Sequence, residues 1–417
     1  MTAPAEPSAP DTPPMNGPAV VELVVLLLVA LGVRLAAGWA LGGGAPFGPD
    51  GTGAEAAVHL GGHLYPLHIV LIRVAGSAKL VSLVAGTLTC GLLWHYGRSL
   101  KLSGAGGWLA AFLPLAVYSS VLSAGDAPAL FVVVLGAVVA LRSEVWAVAG
   151  GALAMVSVVI KPVALPALAL FAVRLQGLIG MVLVLPFVWG WLEPLVSPRP
   201  GSGLLGSWWQ ANGGVPPETP RVGGSMLKMA AKTLVTVPAW VGVWLIPVAA
   251  LGVFLPAQGK RPDPPPSVRL AGMLVLLAPL AVAYMFGSRL SGRYMEGAVL
   301  ALLPWAGLAL PRGFEALLLV PTAALITQVG AYRAVEDPLS GVPEYPTLVF
   351  PDVDARALFD EASTRDATGM RAEAEALART LPQGARHAVR RLPHGREGEL
   401  VWPLKVLRPD VVIVYED

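Results

Sequence analysis

The stretch DAPALFVVVLGAVVALRSEVWAVAGGALAMVSVVIKP, Asp126 to Pro162, decides the fold. It holds two apolar runs, 127–141 and 145–160, separated by one short connection that carries Arg142. An acid stands at its entry (Asp126), and a cation followed by proline stands at its exit (Lys161, Pro162). Long apolar runs closed by Arg, Lys, Gly or Pro read as bilayer-spanning helices, because a helix satisfies its own backbone groups where there is no water. An acid and a base at the two outer ends of such a pair place charge at one membrane face.

The rest of the chain repeats this pattern. Hydrophobic residues make up 55% of the 417, charged residues 13%, and the mean hydropathy is +0.66. A soluble domain carries roughly 25% charged residues, so about half the usual charge is missing. Apolar runs fall near 20–41, 80–97, 104–120, 127–141, 145–160, 163–174, 177–194, 233–255, 268–287, 297–311 and 314–331. The fold class expected is an all-α polytopic membrane protein of about eleven spans with a small C-terminal α/β extramembrane domain. The run at 163–174 is short and carries Pro166, with Pro162 just before it, which favours a kink or fusion with a neighbour.

Three parts follow. Residues 1–18, rich in Pro and Ala and free of Lys and Arg, read as a disordered tail without the basic start of a secretory signal. Residues 19–331 form the polytopic domain, with long loops at 42–79 and 193–232. Residues 332–417 have ordinary soluble composition; PTLVF (346–350) and the end of LRPDVVIVYED (407–417) read as strands, and 354–381 as amphipathic helix. A net charge of +2 with no basic run excludes a nucleic-acid partner, and the single cysteine, Cys90, excludes an intrachain disulfide or a cysteine metal cluster. The partner is the lipid bilayer.

Orientation comes from positive charge in short connections. With the N-terminus inside, Arg98, Lys101, Arg142, Arg174, Lys260 to Arg269, and Arg312 all fall on the inner side. Both long loops, Asp126 and the C-terminal domain then lie on the non-cytoplasmic side, as expected for a plasma or inner membrane.

Chemistry concentrates in the first outer loop, FGPDGTGAEAAVHLGGHLYPLHIVLIRVAG, Phe47 to Gly76. Asp50 stands in turn chemistry between Pro49 and Gly51. Glu55, His59 and His63 follow at a spacing of four, which a short helix aligns on one face. His59, His63 and His68 with one carboxylate nearby make a poor ligand set; no metal site is assigned, no cofactor is expected, and a divalent ion is not favoured. Arg34, inside the first run, reads as structural, paired with an outer-loop acid. Trp208 and Trp209 read as interfacial anchors ahead of sugar-stacking platforms.

These segments, taken in order, resemble the GT-C membrane glycosyltransferases, especially the protein O-mannosyltransferase and aminoarabinose-transferase-like branch. The resemblance rests on Asp50 in GPDGTGAEAA and on HLYPLHIVLIRVAG entering a Leu-rich run. It continues with Asp126 in SVLSAGDAPALFVVVLGAVVALR, Lys161–Pro162 in VVIKPVALPALALFAVR, and the Arg-then-Tyr segment GSRLSGRYMEGAVLALLPWAGLAL. It covers residues 20–315. One position departs: the family's second acid directly after the loop Asp is Gly51 here, leaving Glu55 or no residue in that role.

The resemblance implies an inverting transfer of a hexosyl or pentosyl unit from a polyprenyl-phosphate donor to an acceptor hydroxyl on protein, lipid or glycan. The chemistry is coherent on its own terms. A base must take the acceptor's proton, which fits Asp50. Positive charge must hold the phosphate and stabilise it as it leaves, which fits Lys161, Arg289 and Arg293 on the same outer side. Glu55, His59, His63 and Asp126 are the further substrate-binding candidates. The alternatives are a lipid or sugar transporter or flippase, and a catalytically silent scaffold on the same fold. A transporter calls for a midplane site and an inverted repeat, whereas the charges here collect at one face and no such repeat is evident.

Overall fold

The computed structural model describes residues 16–40, 66–75, 78–121, 125–196, 245–255, 263–286, 295–310, 313–314, 317, 376–390, 408 and 411–416. The first helix, α1 (Gly17–Ala40), is followed by α2 (Pro66–Ala75) and α3 (Ala78–Ser99). Next come α4 (Ala105–Phe112), α5 (Pro114–Val121), α6 (Asp126–Ala140) and α7 (Glu144–Val156). A 3-10 turn (Ser157–Val159) and a 3-10 helix (Pro162–Val173) lead to α8 (Gly177–Val196). The bundle continues with α9 (Leu245–Phe254), α10 (Pro266–Val275), α11 (Ala278–Phe286) and α12 (Glu296–Ala309).

Among the described residues, two helices, Gly17–Gly38 and Lys79–Ser99, are long and apolar enough to cross a membrane, and the bent pair α5–α6 makes a third if it is one span. Six shorter apolar helices pack with them. Long apolar helices, with Leu and Val facing outward on α1 and α8, make this an integral membrane protein. The expected run at 104–120 is interrupted. Pro114 has no N–H to give the carbonyl of Ala110 and disfavours helical backbone at the residue before it; Leu113 is accordingly extended, with φ −64° and ψ 121°. The run at 268–287 breaks between α10 and α11, where Pro279 falls in the first turn of the new helix, the place a helix tolerates it. The short run at 163–174 is a 3-10 helix containing Pro166.

Small residues set the closest approaches. A Cβ on Gly136 would lie 2.4 Å from the Gly150 carbonyl oxygen, and one on Gly151 1.8 Å from that of Gly177. Helix packing in lipid rests on such close contact, since apolar tails give helices little hydrophobic reason to associate. These glycines bind α6, α7 and α8 into one layer.

The bundle has two unlike ends. Glu22 near the start of α1 pairs with Arg98 at the end of α3, at 3.3 Å. Arg34, three turns later in α1, instead faces Gly86, early in α3, so the two helices run antiparallel. Ser119 at the end of α5 meets Glu296 at the start of α12, while Gly106 at the start of α4 meets Leu303 and Pro304 further along α12. Gln176 donates to Glu144 at 3.3 Å, so the chain leaving Lys161 returns to the level where α7 began. Arg34, His68, Ser119, Ser120, Asp126, Lys161 and Glu296 thus share one end, called here the polar end. Glu22, Arg98, Arg142, Glu144 and Gln176 share the other.

In the C-terminal part, β1 (Arg386–Arg390) pairs in parallel with β2 (Val412–Glu416), in the register Arg386↔Val412 to Arg390↔Glu416. The strand expected at the end of LRPDVVIVYED is β2; its partner is RHAVR, which was not expected, and PTLVF lies outside the described residues. A helical turn at 376–380 precedes β1. Arg408 donates to the carbonyls of Ala378, Leu381 and Pro382, each at 2.8 Å, filling the end of that turn.

Candidate functional site

The polar end is built around a buried ion pair. Lys161 Nζ lies 3.0 Å from Asp126 Oδ1, with the two side chains 6% and 0% exposed. Sequence positions both partners. Asp126 opens α6, where the exposed N–H groups of the first turn favour negative charge. Lys161 stands in the break between the two 3-10 segments, extended at φ −168° and ψ 128°, the conformation required of a residue preceding proline. Its own N–H donates to the Ser157 carbonyl at 2.8 Å. Two charges so deeply buried persist only because they are paired, since an isolated one costs several kcal/mol in a low-dielectric interior.

His68 completes this corner. It is the third residue of α2, is buried, and sets its ring against Gly125. A Cβ on Gly125 would lie 3.2 Å from His68 Cδ2 and Nε2. Gly125 also has φ +80°, a left-handed conformation that glycine adopts without penalty. Two independent reasons therefore call for glycine directly before Asp126.

A second polar cluster lies beside the first. Arg34 is buried, and its guanidinium donates to Ser120 Oγ (3.0 Å) and to the carbonyls of Ala30 (3.1 Å), Ala110 (3.2 Å) and Ala111 (3.4 Å). The Ala110 carbonyl is the one that Pro114 leaves without a helical partner. Among the described residues the partners of Arg34 are carbonyls and a hydroxyl; the outer-loop acids expected to pair with it lie outside those residues. The planar fork of arginine, with five donors, suits a broken helix end better than lysine's single ammonium. Glu296 opens α12, is buried, and accepts from Ser119 Oγ at 2.5 Å.

Of the site residues named from sequence, the structure brings Asp126 and Lys161 together. Asp50, Glu55, His59, His63, Arg289 and Arg293 lie outside the described residues, as do Trp208 and Trp209. Both Asp126 and Lys161 were singled out as separate substrate contacts; their direct pairing changes what each can do. Lys161 is not an unspent positive charge, because the pair is formally neutral. Its ammonium has three donors, and Asp126 holds it in place.

Sequence reasoning did not single out Glu296, Ser119 or Ser120, and read His68 as a helix-surface or substrate-contact histidine ahead of a metal ligand. Glu296 carries a usable signal: it is the one charged residue in MEGAVLALLPWAGLAL, Met295 to Leu310. A lone acid within an apolar run is expensive unless it has a partner or a function. The serines carry no comparable signal, since a hydroxyl in an apolar helix can return its proton to the carbonyl four residues back, as Ser120 does to Ala116.

No protein-family model and no curated protein matches the chain. Among solved structures it is similar to ArnT from Cupriavidus metallidurans, crystallised bound to undecaprenyl phosphate, at 16% identity and a TM-score of 0.48, over 94% of this chain and 85% of that one.

Proposed function

We propose that the chain is an inverting membrane glycosyltransferase that moves a sugar from a polyprenyl-phosphate donor to an acceptor hydroxyl at the non-cytoplasmic face. The observation that supports this best is the buried Asp126–Lys161 pair beside His68, gathered at one end of an otherwise apolar bundle. A polyprenyl donor keeps its tail in the bilayer and its anomeric carbon at the surface, so its chemistry calls for charge at one membrane face. The ordered motifs around Asp50, Asp126, Lys161 and Arg293 point the same way.

In this reading Asp50 is the general base. It takes the acceptor hydroxyl's proton as that oxygen attacks the anomeric carbon. The bond from that carbon to the phosphate oxygen breaks on the opposite face, and the electron pair leaves on the phosphate. One displacement inverts the configuration. Because Asp126 balances Lys161, the phosphate's charge is met by Arg289 and Arg293, with Lys161 adding a directed hydrogen bond. Glu55, His59 and His63 contact the sugar or acceptor. The reading includes about eleven spans, a polytopic domain over 19–331, and an accessory domain over 332–417 on the outer side.

The test is transfer from a defined polyprenyl-phosphate sugar by the full-length protein in nanodiscs. Asp50→Asn keeps the size and removes the base, so turnover should fall at least about 100-fold with donor affinity little changed. Near-normal turnover would overturn Asp50 as base, and a product of retained configuration would exclude direct displacement.

A further inference from the structure

Glu296 has no part in the reaction just described, yet it is 1% exposed in the membrane bundle. Its Oε1 accepts from Ser119 Oγ at 2.5 Å. The adjacent Ser120 accepts from Arg34 Nε at 3.0 Å and donates to the Ala116 carbonyl. Three helices, α12, α5 and α1, are therefore tied at one level. The fourth, α3, closes on the same point through Gly86, where any Cβ would lie 2.0 Å from Ser120 Oγ.

What this tie holds lies one step away in both directions. Through Ser119 it grips the end of α5, and α5 stops at Val121, just ahead of the Gly125–Asp126 turn. Through α12 it reaches the 3-10 helix that starts after Lys161, because α12 packs against that helix and both run away from the polar end. One acid is thus linked to the element preceding Asp126 and to the element following Lys161.

We infer that Glu296 is a positioning residue for the Asp126–Lys161 pair, holding α5 to α12 so that the two charges meet in register. The activity readout rests on the reading above, in which Lys161 contacts the donor's phosphate. Loosening the tie displaces that contact, so donor binding suffers while the chemical step does not.

The experiment uses Glu296→Ala, Glu296→Gln and Ser119→Ala in the full-length protein in nanodiscs, with a polyprenyl-phosphate sugar as donor. Glu296→Ala should raise the donor KM about tenfold, the effect of a lost hydrogen bond to a charged group, with kcat within about twofold of wild type. Glu296→Gln retains an oxygen that accepts from Ser119 and should recover most of that loss. The Glu296→Ala, Ser119→Ala double variant should be no worse than the worse single one. A lowered kcat at unchanged KM is what fewer folded molecules would give, and it overturns the inference.

A second measurement does not depend on activity. Apparent melting temperatures of wild type, Glu296→Ala, Asp126→Asn and the double variant form a cycle. Combined losses smaller than the sum support coupling between Glu296 and the pair; strictly additive losses overturn it. If the wild type transfers no sugar, the transferase reading fails and this cycle alone decides the role of Glu296.

Discussion

Two ion pairs tie helices together at opposite ends of this bundle, at nearly the same distance and with opposite energetics. Glu22 and Arg98 approach to 3.3 Å with side chains 40% and 32% exposed. Arg98 also lies over the Trp94 ring at 4.7 Å, and Trp94 Nε1 donates to Glu22 at 2.9 Å. Asp126 and Lys161 approach to 3.0 Å with almost no exposure. At the first end partial exposure to solvent screens each partner, so either charge should survive the loss of the other. At the second end each charge is tolerable only while its partner is present. Separation says little about what an ion pair contributes; burial decides it.

The largest expected effect tests that contrast directly. Removing one partner of the buried pair, as Asp126→Ala or Lys161→Ala, should destabilise the protein by about 3–5 kcal/mol, because the other charge is left uncompensated. Replacing both together by leucine should restore most of the loss, since a buried pair is often no better than apolar residues of similar volume. Apparent melting temperatures of the three variants check this; a single loss as small as that expected for Glu22 would break the comparison.

A smaller effect sharpens it at the turn that presents Asp126. Gly125→Ala should cost about 1–2 kcal/mol for the left-handed backbone alone, and more because the new methyl meets the His68 ring at 3.2 Å. Adding His68→Ala should return the steric part and leave the backbone part. If the double variant remains as unstable as Gly125→Ala, His68 does not crowd this turn.

The smallest effect belongs to the exposed end. Glu22→Gln should change stability by no more than about 1 kcal/mol and should do so less at high salt. A loss comparable to that of Asp126→Ala would show that the Glu22–Arg98–Trp94 cluster is shielded from solvent in the membrane.

Particular residues show how far the sequence could be read. Runs 20–41 and 80–97 emerge as α1 (Gly17–Ala40) and α3 (Ala78–Ser99), because unbroken apolar stretches leave the backbone one way to satisfy itself. Asp126 and Lys161 stand out for a related reason: a charge beside an apolar run is costly, and the structure pairs the two. The helix break before Pro114 was legible in principle from the missing N–H, yet hydropathy alone passes over it. Glu296 meeting Ser119 was not legible. Helical periodicity tells which face a residue occupies, but not which distant helix lies across from it, and these two residues are separated by 177 positions. The expected outer-loop residues Asp50, Glu55, His59 and His63, and the arginines at 289 and 293, remain part of the proposal.

The order in which the buried pair is synthesised has a consequence for how the protein enters its membrane. Asp126 leaves the ribosome first, and Lys161 follows 35 residues later (161 − 126). At an elongation rate of 5–20 residues per second, that delay is roughly two to seven seconds. Throughout it α6 carries an acid whose partner does not yet exist, a cost of about 2.5–3.5 kcal/mol if it were drawn to the bilayer centre. Asp126 sits at the very start of its helix, so it can wait at the membrane surface while α6 and α7 insert as a hairpin. Lys161 then arrives at the same surface behind α7. On this order of synthesis the two charges can pair only once both α6 and α7 have been made, the helices that meet at Gly136 and Gly150.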